Sequence, residues 1–310
     1  MIHNGDTGMG DTAELPIFSQ DAVTTATAGV GRVRVDCGAV TNPGLLRPNN
    51  EDHYLVCRFG RYLTPLATNL DGHADTLFEE EGYGMVVADG LGGAAAGEKA
   101  SELAVRAMLN LIINTPDWII STTERDADRV LKRMAERFRM IDELLTQEAL
   151  QDSQLHGMGT TMTLAANVGD SLIVTHVGDS RAYLFRAGKL HQLTHDHTVA
   201  QALVDQGVLK RTEEASVRLQ HSLTKLLGGA GAQCEADMRR FGLADQDVLV
   251  LCSDGLTDMV DDAGITVILN TNEPAPKLAQ ALVDRALKNG GKDNVTVIVA
   301  RYSFFSRPLS

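Results

Sequence analysis

The chain has 310 residues, of which 44% are hydrophobic and 22% are charged. This length and composition suffice for one large globular domain, and the lack of any run of about 18 apolar residues argues against a membrane-spanning helix. The net charge of −13 argues against binding of nucleic acid, because that binding relies on a basic surface.

The first residues show no basic start followed by an apolar core, so no secretory signal is expected. The four cysteines are scattered, without a Cys-x-x-Cys pair, and three of them lie beside apolar strand residues. Buried free thiols fit this pattern better than zinc ligands or disulfides. The sequence therefore predicts a cytoplasmic protein with no membrane partner.

The first half of the chain is predicted to contain strands followed by helices. Apolar residues form short runs in the strands and recur at spacings of three and four in the helices. Residues 60–82 are polar and irregular and are predicted to form a surface loop. The predicted elements are a loose tail over 1–29, strands over 33–40 and 53–59, a strand starting at Met85, a helix from Gly97 and a helix over 124–149.

In the second half, short strands return and are joined by tight turns. The tetrapeptide Val-Gly-Asp-Ser occurs at 168–171 and again at 177–180, and its Gly-Asp step is typical of hairpins. Short helices and polar loops are predicted over 195–235, and Gly290-Gly291 is expected to end the last helix. The other predicted elements are strands over 160–167, 171–177, 181–186 and 295–302, a strand starting at Val248, helices over 257–260 and 275–289, and a tail over 305–310.

Helices and strands thus come in blocks, without regular βαβ alternation. That order predicts an α+β fold with largely antiparallel sheets. No linker divides the chain, so a single domain over 30–304 is expected.

Two Asp-Gly steps each close a run of strand residues that reads as buried on both faces. Asp89-Gly90 follows Met85–Ala88, and Asp254-Gly255 follows Val248–Ser253. A carboxylate at the end of a buried strand is costly unless a positive charge meets it. Two such strands suggest carboxylates that converge on divalent metal ions, although each Asp alone could equally cap a following helix.

Further acidic residues are weaker candidates when taken singly. Glu51 and Asp52 are adjacent, so in an extended segment their side chains point to opposite faces, and one could ligate a metal while the other orients a water. Asp293 follows two glycines and precedes a strand, as an ordinary turn residue also would. Asp179 lies in the second Val-Gly-Asp-Ser turn, and its twin Asp170 shows how common such an Asp is.

Arg47 lies four residues before Glu51 and could grip a phosphate through two hydrogen bonds, although a surface Arg is the simpler interpretation. Competing motifs are absent: there is no Gly-x-Ser-x-Gly elbow, no Walker A segment and no His-Glu-x-x-His helix. The Gly-rich segment 90–97 superficially suggests a dinucleotide-binding oxidoreductase, but no βαβ series follows it.

Taken in order, these pieces resemble the metal-dependent PP2C (PPM) family of protein serine/threonine phosphatases, and bacterial members in particular. Each piece is weak alone, but together they span residues 47–296 in family order. The matching segments are Arg47–Asp52, Val87–Gly93 with Gly97-Glu98, Gly159–Thr161, Val177–Ala182, Ser253–Leu256 and Asp293–Thr296.

The resemblance implies a central β-sandwich of mostly antiparallel sheets, flanked by helices on both faces in α-β-β-α layers. The metal site would lie at one end of the sandwich. The segment from about 196 to 235 matches the family's flap, which lies beside the active site.

The resemblance also implies a role for each candidate. Asp89 would bridge two Mn²⁺ or Mg²⁺ ions, which Asp254 and Asp293 hold on one side and Glu51 with the Gly90 carbonyl on the other. Asp179 and Asp254 would hold a third, weaker ion. Asp52 would orient a water, and Arg47 would bind the substrate phosphate, so that Arg47, Asp52 and Asp89 form the catalytic group.

The implied reaction is hydrolysis of phosphoserine and phosphothreonine in proteins by a metal-bridging water, without a phosphoenzyme. The leaving alkoxide needs a proton, and Leu91 stands where many eukaryotic members have a histidine, so water, His53 and His73 remain open as donors. The implied partners are phosphoprotein substrates and an opposing serine/threonine kinase, with a monomer as the default. The alternative is a pseudophosphatase that binds phosphoproteins without turnover.

Overall fold

The computed structural model describes residues 32–63, 78–114, 124–210, 218–229 and 234–305. The predicted tail over 1–29 and most of the predicted tail over 305–310 lie outside the described residues, as does the middle of the predicted loop over 60–82.

Twelve strands in the described residues form two sheets whose pairings are all antiparallel. The first sheet has the order β1-β12-β11-β7-β8. Its strands are β1 (Arg32–Asn42), β12 (Val295–Phe305), β11 (Val248–Cys252), β7 (Arg181–Arg186) and β8 (Lys189–Gln192).

The second sheet has the order β10-β6-β5-β3-β4-β9, and β2 pairs with β3 beside this path. Its strands are β2 (Asp52–Leu63), β3 (Phe78–Leu91), β4 (Gly159–Thr160), β5 (Met162–Val168), β6 (Ser171–Val177), β9 (Leu227–Gly228) and β10 (Asp237–Gly242).

Most of the helices pack on the outer faces of the sheets. The helices are α1 (Ala94–Asn114), α2 (Glu124–Gln151), a 3₁₀ turn (Ser153–Leu155), α3 (Val199–Asp205), α4 (Asp254–Thr257), α5 (Asp262–Leu269) and α6 (Ala275–Lys288). None of the described helices is long and apolar enough to cross a bilayer.

Alternating side chains on the central strands create three hydrophobic cores. On β11, Leu249 and Leu251 face the other sheet, where they share a core with Met85 and Val87 of β3. Their neighbours Val248, Val250 and Cys252 face outward and pack with α4, α5 and α6, while α1 and α2 cover the outer face of the second sheet. This alternation is the period of two expected for strands in a sandwich, and the predicted α-β-β-α layers are confirmed.

The prediction of a loop over 60–82 was wrong at both ends. β2 extends to Leu63 and β3 starts at Phe78, and the two strands pair throughout. Within β3, Gly82 makes room for an aromatic ring, because a Cβ there would lie 2.5 Å from Phe59 Cε2. The predicted helix over 257–260 in fact begins at Asp254 and ends at Thr257.

The residues that precede β10 are tied to α2 by a buried carboxylate. Asp142 of α2 accepts hydrogen bonds from the backbone N–H groups of Gly228, at 2.7 Å, and Cys234, at 3.2 Å. Both ends of the segment between these two residues are thereby held against the second sheet's helical layer.

Candidate metal centre

The sheet topology brings the predicted acidic residues to one end of the sandwich. In the first sheet, the end of β11 lies between the start of β12 and the start of β7, with Cys252 opposite Val297 and Arg181. Asp254, Asp293 and Asp179 flank these strand ends. In the second sheet, Asp52 at the start of β2 lies opposite Asp89 near the end of β3. Residues far apart in sequence therefore meet because their strands are antiparallel neighbours.

Asp89 is fixed by its backbone, which leaves its carboxylate available. Its N–H donates to Thr161 Oγ1 at 3.1 Å, and its carbonyl oxygen accepts the Thr161 N–H at 2.8 Å. Burial raises the pKa of Asp89 well above its ordinary value, and the charges of Asp52 and Asp254 raise it further. Such mutual repulsion requires a positive charge or a proton to stabilise the group.

Glu51 lies against two glycines that its position requires. A Cβ on Gly97 would lie 2.1 Å from Glu51 Oε2, and a Cβ on Gly90 would lie 2.0 Å from the Gly97 carbonyl oxygen. The Gly90 N–H also donates to the Glu51 carbonyl oxygen at 3.2 Å. These glycines explain why Asp89-Gly90 and Gly97 occur together: any side chain there would push the turn, the start of α1 and Glu51 apart.

Asp52 is buried, and only one of its two carboxylate oxygens accepts a hydrogen bond from a described side chain. Its Oδ2 accepts a 2.7 Å hydrogen bond from Ser253 Oγ, which links the two sheets. Its Oδ1 is buried with no hydrogen-bond partner among the described residues. Burial raises the pKa of Asp52 to about 7. A buried carboxylate oxygen without a donor calls for a water or a ligand at this position.

Asn294 organises the loop that carries Glu51, and the sequence analysis gave it no role. Its Oδ1 accepts the Glu51 N–H at 2.7 Å, while its Nδ2 donates to the carbonyl oxygens of Pro43 at 3.0 Å and Asn49 at 2.8 Å. Because Asn294 is the neighbour of Asp293, one turn positions two predicted metal ligands that precede different strands.

Arg47 contacts a predicted metal ligand in this structure. Its Nη2 donates to Asp293 Oδ2 at 2.6 Å, and its side chain is 53% exposed. This hydrogen bond raises the pKa of Arg47. The guanidinium therefore lies at the edge of the acidic cluster, where a phosphate group can reach it from solvent.

Asp179 and Asp254 are joined by a residue that the sequence analysis missed. Asp179, His221 and Asp254 each offer one ligand atom, and these three atoms lie within 4.8 Å of one another. His221 Nδ1 lies 3.4 Å from Asp254 Oδ2, and its Nε2 lies 3.4 Å from Asp258 Oδ2. Contact with Asp254 raises the pKa of His221 to about 9. No motif flags His221, because it lies in an irregular polar segment with no periodic pattern.

The residues fit divalent cations with oxygen ligands. The cluster offers the carboxylates of Glu51, Asp89, Asp179, Asp254 and Asp293, which have Arg47 and His221 as cationic contacts among the described residues. Hard ions such as Mg²⁺ and Mn²⁺ bind carboxylate, carbonyl and water oxygens. The raised pKa values and the unpartnered Asp52 oxygen are the features that bound cations and their waters would satisfy.

Comparison with known proteins decides the family. The model of the family described as protein phosphatase 2C matches residues 69–289. The chain belongs to the protein phosphatase 2C family. The resemblance seen in the sequence motifs is thereby confirmed, and the family's sandwich explains why the motifs converge at one end of the fold.

Two curated protein phosphatase 2C relatives illustrate the extent of the similarity. Serine/threonine protein phosphatase PstP of Mycobacterium tuberculosis is 38% identical over 217 residues, which are 70% of this chain and 40% of PstP. Protein phosphatase PhpP of Streptococcus pneumoniae is 30% identical over 265 residues, which are 85% of this chain and 96% of PhpP. The chain thus spans about two fifths of the length of PstP and nearly all of PhpP.

A solved structure extends the comparison to the metal site. The catalytic domain of PstP, crystallised in complex with two manganese ions, superposes with a TM-score of 0.68 at 31% identity. The match covers 88% of this chain and all of that domain. The α+β sandwich of this protein phosphatase 2C member is therefore shared with a relative that binds two Mn²⁺ ions.

Proposed function

We propose that this chain is a metal-dependent protein serine/threonine phosphatase that hydrolyses phosphoserine and phosphothreonine with two Mn²⁺ or Mg²⁺ ions. The observation that carries the proposal is the convergence of five carboxylates from both sheets on one end of the sandwich, with Arg47 at its edge. Family membership supplies the reaction class.

The proposed ligands divide between the two sheets. Asp89 would ligate both ions, Asp254 and Asp293 would complete the protein ligands of the first, and Glu51 with the Gly90 carbonyl would hold the second. Asp179 and Asp254 would hold a third, weaker ion. When bound, such ions supply the positive charge that lowers the pKa of a water and offsets charge on the phosphoryl oxygens.

Arg47 binds the substrate phosphate in this proposal. Its guanidinium exchanges the Asp293 oxygen for phosphoryl oxygens, and its exposed position leaves room for that exchange. Two parallel N–H···O bonds from one Arg fix the orientation of the phosphate as well as its position. Arg47 therefore contributes to alignment of phosphorus with the attacking water.

Asp52 orients that water. Its Oδ2 is already engaged by Ser253, so the unpartnered Oδ1 is the atom available to accept a proton from the water. Ser253 in turn accepts the Thr296 N–H at 3.0 Å, which prevents the hydroxyl from turning away. This arrangement holds one acceptor at a fixed position during the attack.

The proton for the leaving alkoxide comes from water in this proposal. Leu91 has no proton to give. His53 is held against α1, where its Nδ1 lies 2.9 Å from Ser101 Oγ, and burial lowers its pKa. A neutral, engaged imidazole is a poor general acid at neutral pH, and His73 lies outside the described residues.

The phosphatase unit is proposed to extend over residues 30–304 as one domain, with the flap over about 196–235 beside the metal centre. Contact between His221 and Asp254 supports that placement of the flap. The proposed partners are phosphoproteins and the serine/threonine kinase that opposes the phosphatase, and the proposed state is a monomer.

The proposal is tested by hydrolysis of a phosphothreonine peptide by the purified chain in Mn²⁺, Mg²⁺ or EDTA. Turnover with either metal and none in EDTA is the expected result. If folded protein binds the peptide but releases no phosphate with either metal, the chain is a pseudophosphatase and the proposal is wrong.

A further inference from the structure

His221 is the one nitrogen ligand within reach of the acidic cluster among the described residues. Its side chain is 51% exposed, and it contacts Asp254 on one ring nitrogen and Asp258 on the other. The oxygens that ligate one Mg²⁺ at about 2.1 Å lie up to about 4.2 Å apart. The three atoms of Asp179, His221 and Asp254 lie within 4.8 Å of one another. A small rotation of the exposed imidazole therefore brings them to the spacing of atoms that share one ion.

The backbone places His221 beside the turn that carries Asp179. Gly178, the residue before Asp179, accepts the His197 N–H at 2.7 Å, and His197 accepts the Thr224 N–H at 2.8 Å. Ser222, the residue after His221, accepts the Val199 N–H at the start of α3 at 2.8 Å. His221 therefore belongs to a hydrogen-bonded segment that is tied directly to the Asp179 turn.

Asp179 gives an independent indication that this position takes a ligand. Its side chain is 9% exposed, and the described residues provide no hydrogen bond to its carboxylate beyond its own backbone. The twin residue Asp170 lies exposed in the equivalent turn at the other end of β6. A carboxylate that is largely buried beside other acids needs a cation or a proton, whereas an exposed turn Asp is solvated.

We propose that His221 is a ligand of the third metal ion, which it shares with Asp179 and Asp254. The inference rests on the proposed function and deepens it, because it gives the flap a direct bond to the metal centre. A bound ion then holds the segment around His221 against the Asp179 turn, so occupancy of the third site and the position of the flap are coupled.

A nitrogen ligand also changes which ions the third site prefers. Imidazole favours transition-metal ions, whereas Mg²⁺ prefers oxygen ligands alone. The proposed ligands of the first two sites are all oxygens. The third site is therefore expected to prefer Mn²⁺ over Mg²⁺ more strongly than the first two sites do.

Two measurements on the whole chain test the proposal: the electron spin-echo spectrum of bound Mn²⁺ and a Mn²⁺ binding titration. Electron spin-echo envelope modulation at three equivalents of Mn²⁺ detects a nitrogen nucleus bonded to the ion, and the wild-type chain is expected to show it. His221→Gln is expected to abolish the nitrogen signal. It is also expected to lower the affinity for the third ion by about tenfold or more, without changing the affinities for the first two. His195→Gln is the matched control, because His195 pairs with Asp205 at 2.7 Å and is not part of the cluster.

A wild-type spectrum without nitrogen modulation overturns the proposal, and so does a nitrogen signal that persists in His221→Gln. The spectrum is independent of turnover. If the wild-type chain shows the His221 signal but does not hydrolyse the phosphothreonine peptide, the ligand assignment stands and the phosphatase proposal fails. If it hydrolyses the peptide without a nitrogen signal, the phosphatase proposal stands and the ligand assignment fails.

Discussion

The two ends of β11 carry acidic residues in opposite electrostatic environments. Asp247, just before the strand, is 1% exposed and fully paired: Arg186 Nε donates to its Oδ1 at 2.8 Å, Arg186 Nη2 to its Oδ2 at 2.5 Å, and the Ala244 N–H to its Oδ2 at 2.7 Å. Asp254, just after the strand, faces other carboxylates. One strand thus presents a structural ion pair at one end and a repelling cluster at the other.

This difference separates acids that support the fold from acids kept for a ligand. A buried carboxylate that serves the structure has its donors built in, as Asp247 has in Arg186 and Asp142 has in two backbone N–H groups. Asp52, Asp89 and Asp179 are buried with raised pKa values, because burial removes them from water and other carboxylates lie nearby. The proposed cations would offset this concentration of negative charge.

The largest expected effect is at the end of β11 that carries Asp254. Asp254→Asn should lower kcat/KM for a phosphothreonine peptide by at least about 1000-fold, equivalent to about 4 kcal/mol, because it removes a ligand of the first ion. Thermal unfolding in EDTA should show little loss of stability, since relief of repulsion from Asp89 and Asp179 offsets the weakened contact with His221. Asp170→Asn is the control, and near-normal activity of Asp254→Asn would contradict the assignment.

The paired end should respond in the opposite way. Asp247→Asn should destabilise the fold by about 3 kcal/mol in urea unfolding, because it leaves the Arg186 guanidinium without its buried counter-ion. Mn²⁺ stoichiometry of the folded variant should stay that of the wild type. Asp245→Asn is the control, because Asp245 is an exposed neighbour. Equal stability of the two variants would show that the Asp247–Arg186 ion pair does not stabilise the fold.

A smaller effect should appear in the pH dependence of the metal-free chain. The pKa of Asp52 is raised to about 7, so the folded state keeps a proton that the unfolded chain loses near pH 4. The stability present below about pH 4 is therefore lost as the pH rises through about 7. In EDTA, Asp52→Asn should lose about 4 kcal/mol less free energy of unfolding than the wild type over this range. Parallel plots of unfolding free energy against pH for the two proteins would refute the assignment of this pH dependence to Asp52.

Sequence reasoning found the acids that end or precede buried strands. A carboxylate next to a long apolar run is easily recognised, because its burial costs free energy unless a ligand or partner offsets it. Asp89 and Asp254 stand out in this way, and family order added Glu51, Asp52, Asp179 and Asp293. The structure brings all of them to one end of the sandwich, while their roles as ligands remain proposals. Ser253 and Asn294 lie within the matched motifs, yet only the hydrogen bonds show that they position Asp52 and Glu51.

Other features had no signal in the local sequence. His221 reaches Asp254 through a segment of irregular backbone, so neither periodicity nor spacing could place it. The extended pairing of β2 with β3 was missed because residues 60–82 are polar and show no regular alternation; within β3, Gly82 accommodates the Phe59 ring. Gly255 is similar: a Cβ there would lie 2.0 Å from the Asn294 carbonyl oxygen, so the glycine permits close packing at the start of α4.

The most direct test of the metal centre is anomalous scattering from crystals of the wild-type chain grown with Mn²⁺. The account predicts two strong peaks, one contacting Asp89, Asp254 and Asp293 and the other contacting Asp89, Glu51 and the Gly90 carbonyl oxygen. Well-ordered crystals with no peak among these carboxylates, or with Mn²⁺ bound only elsewhere, would contradict it.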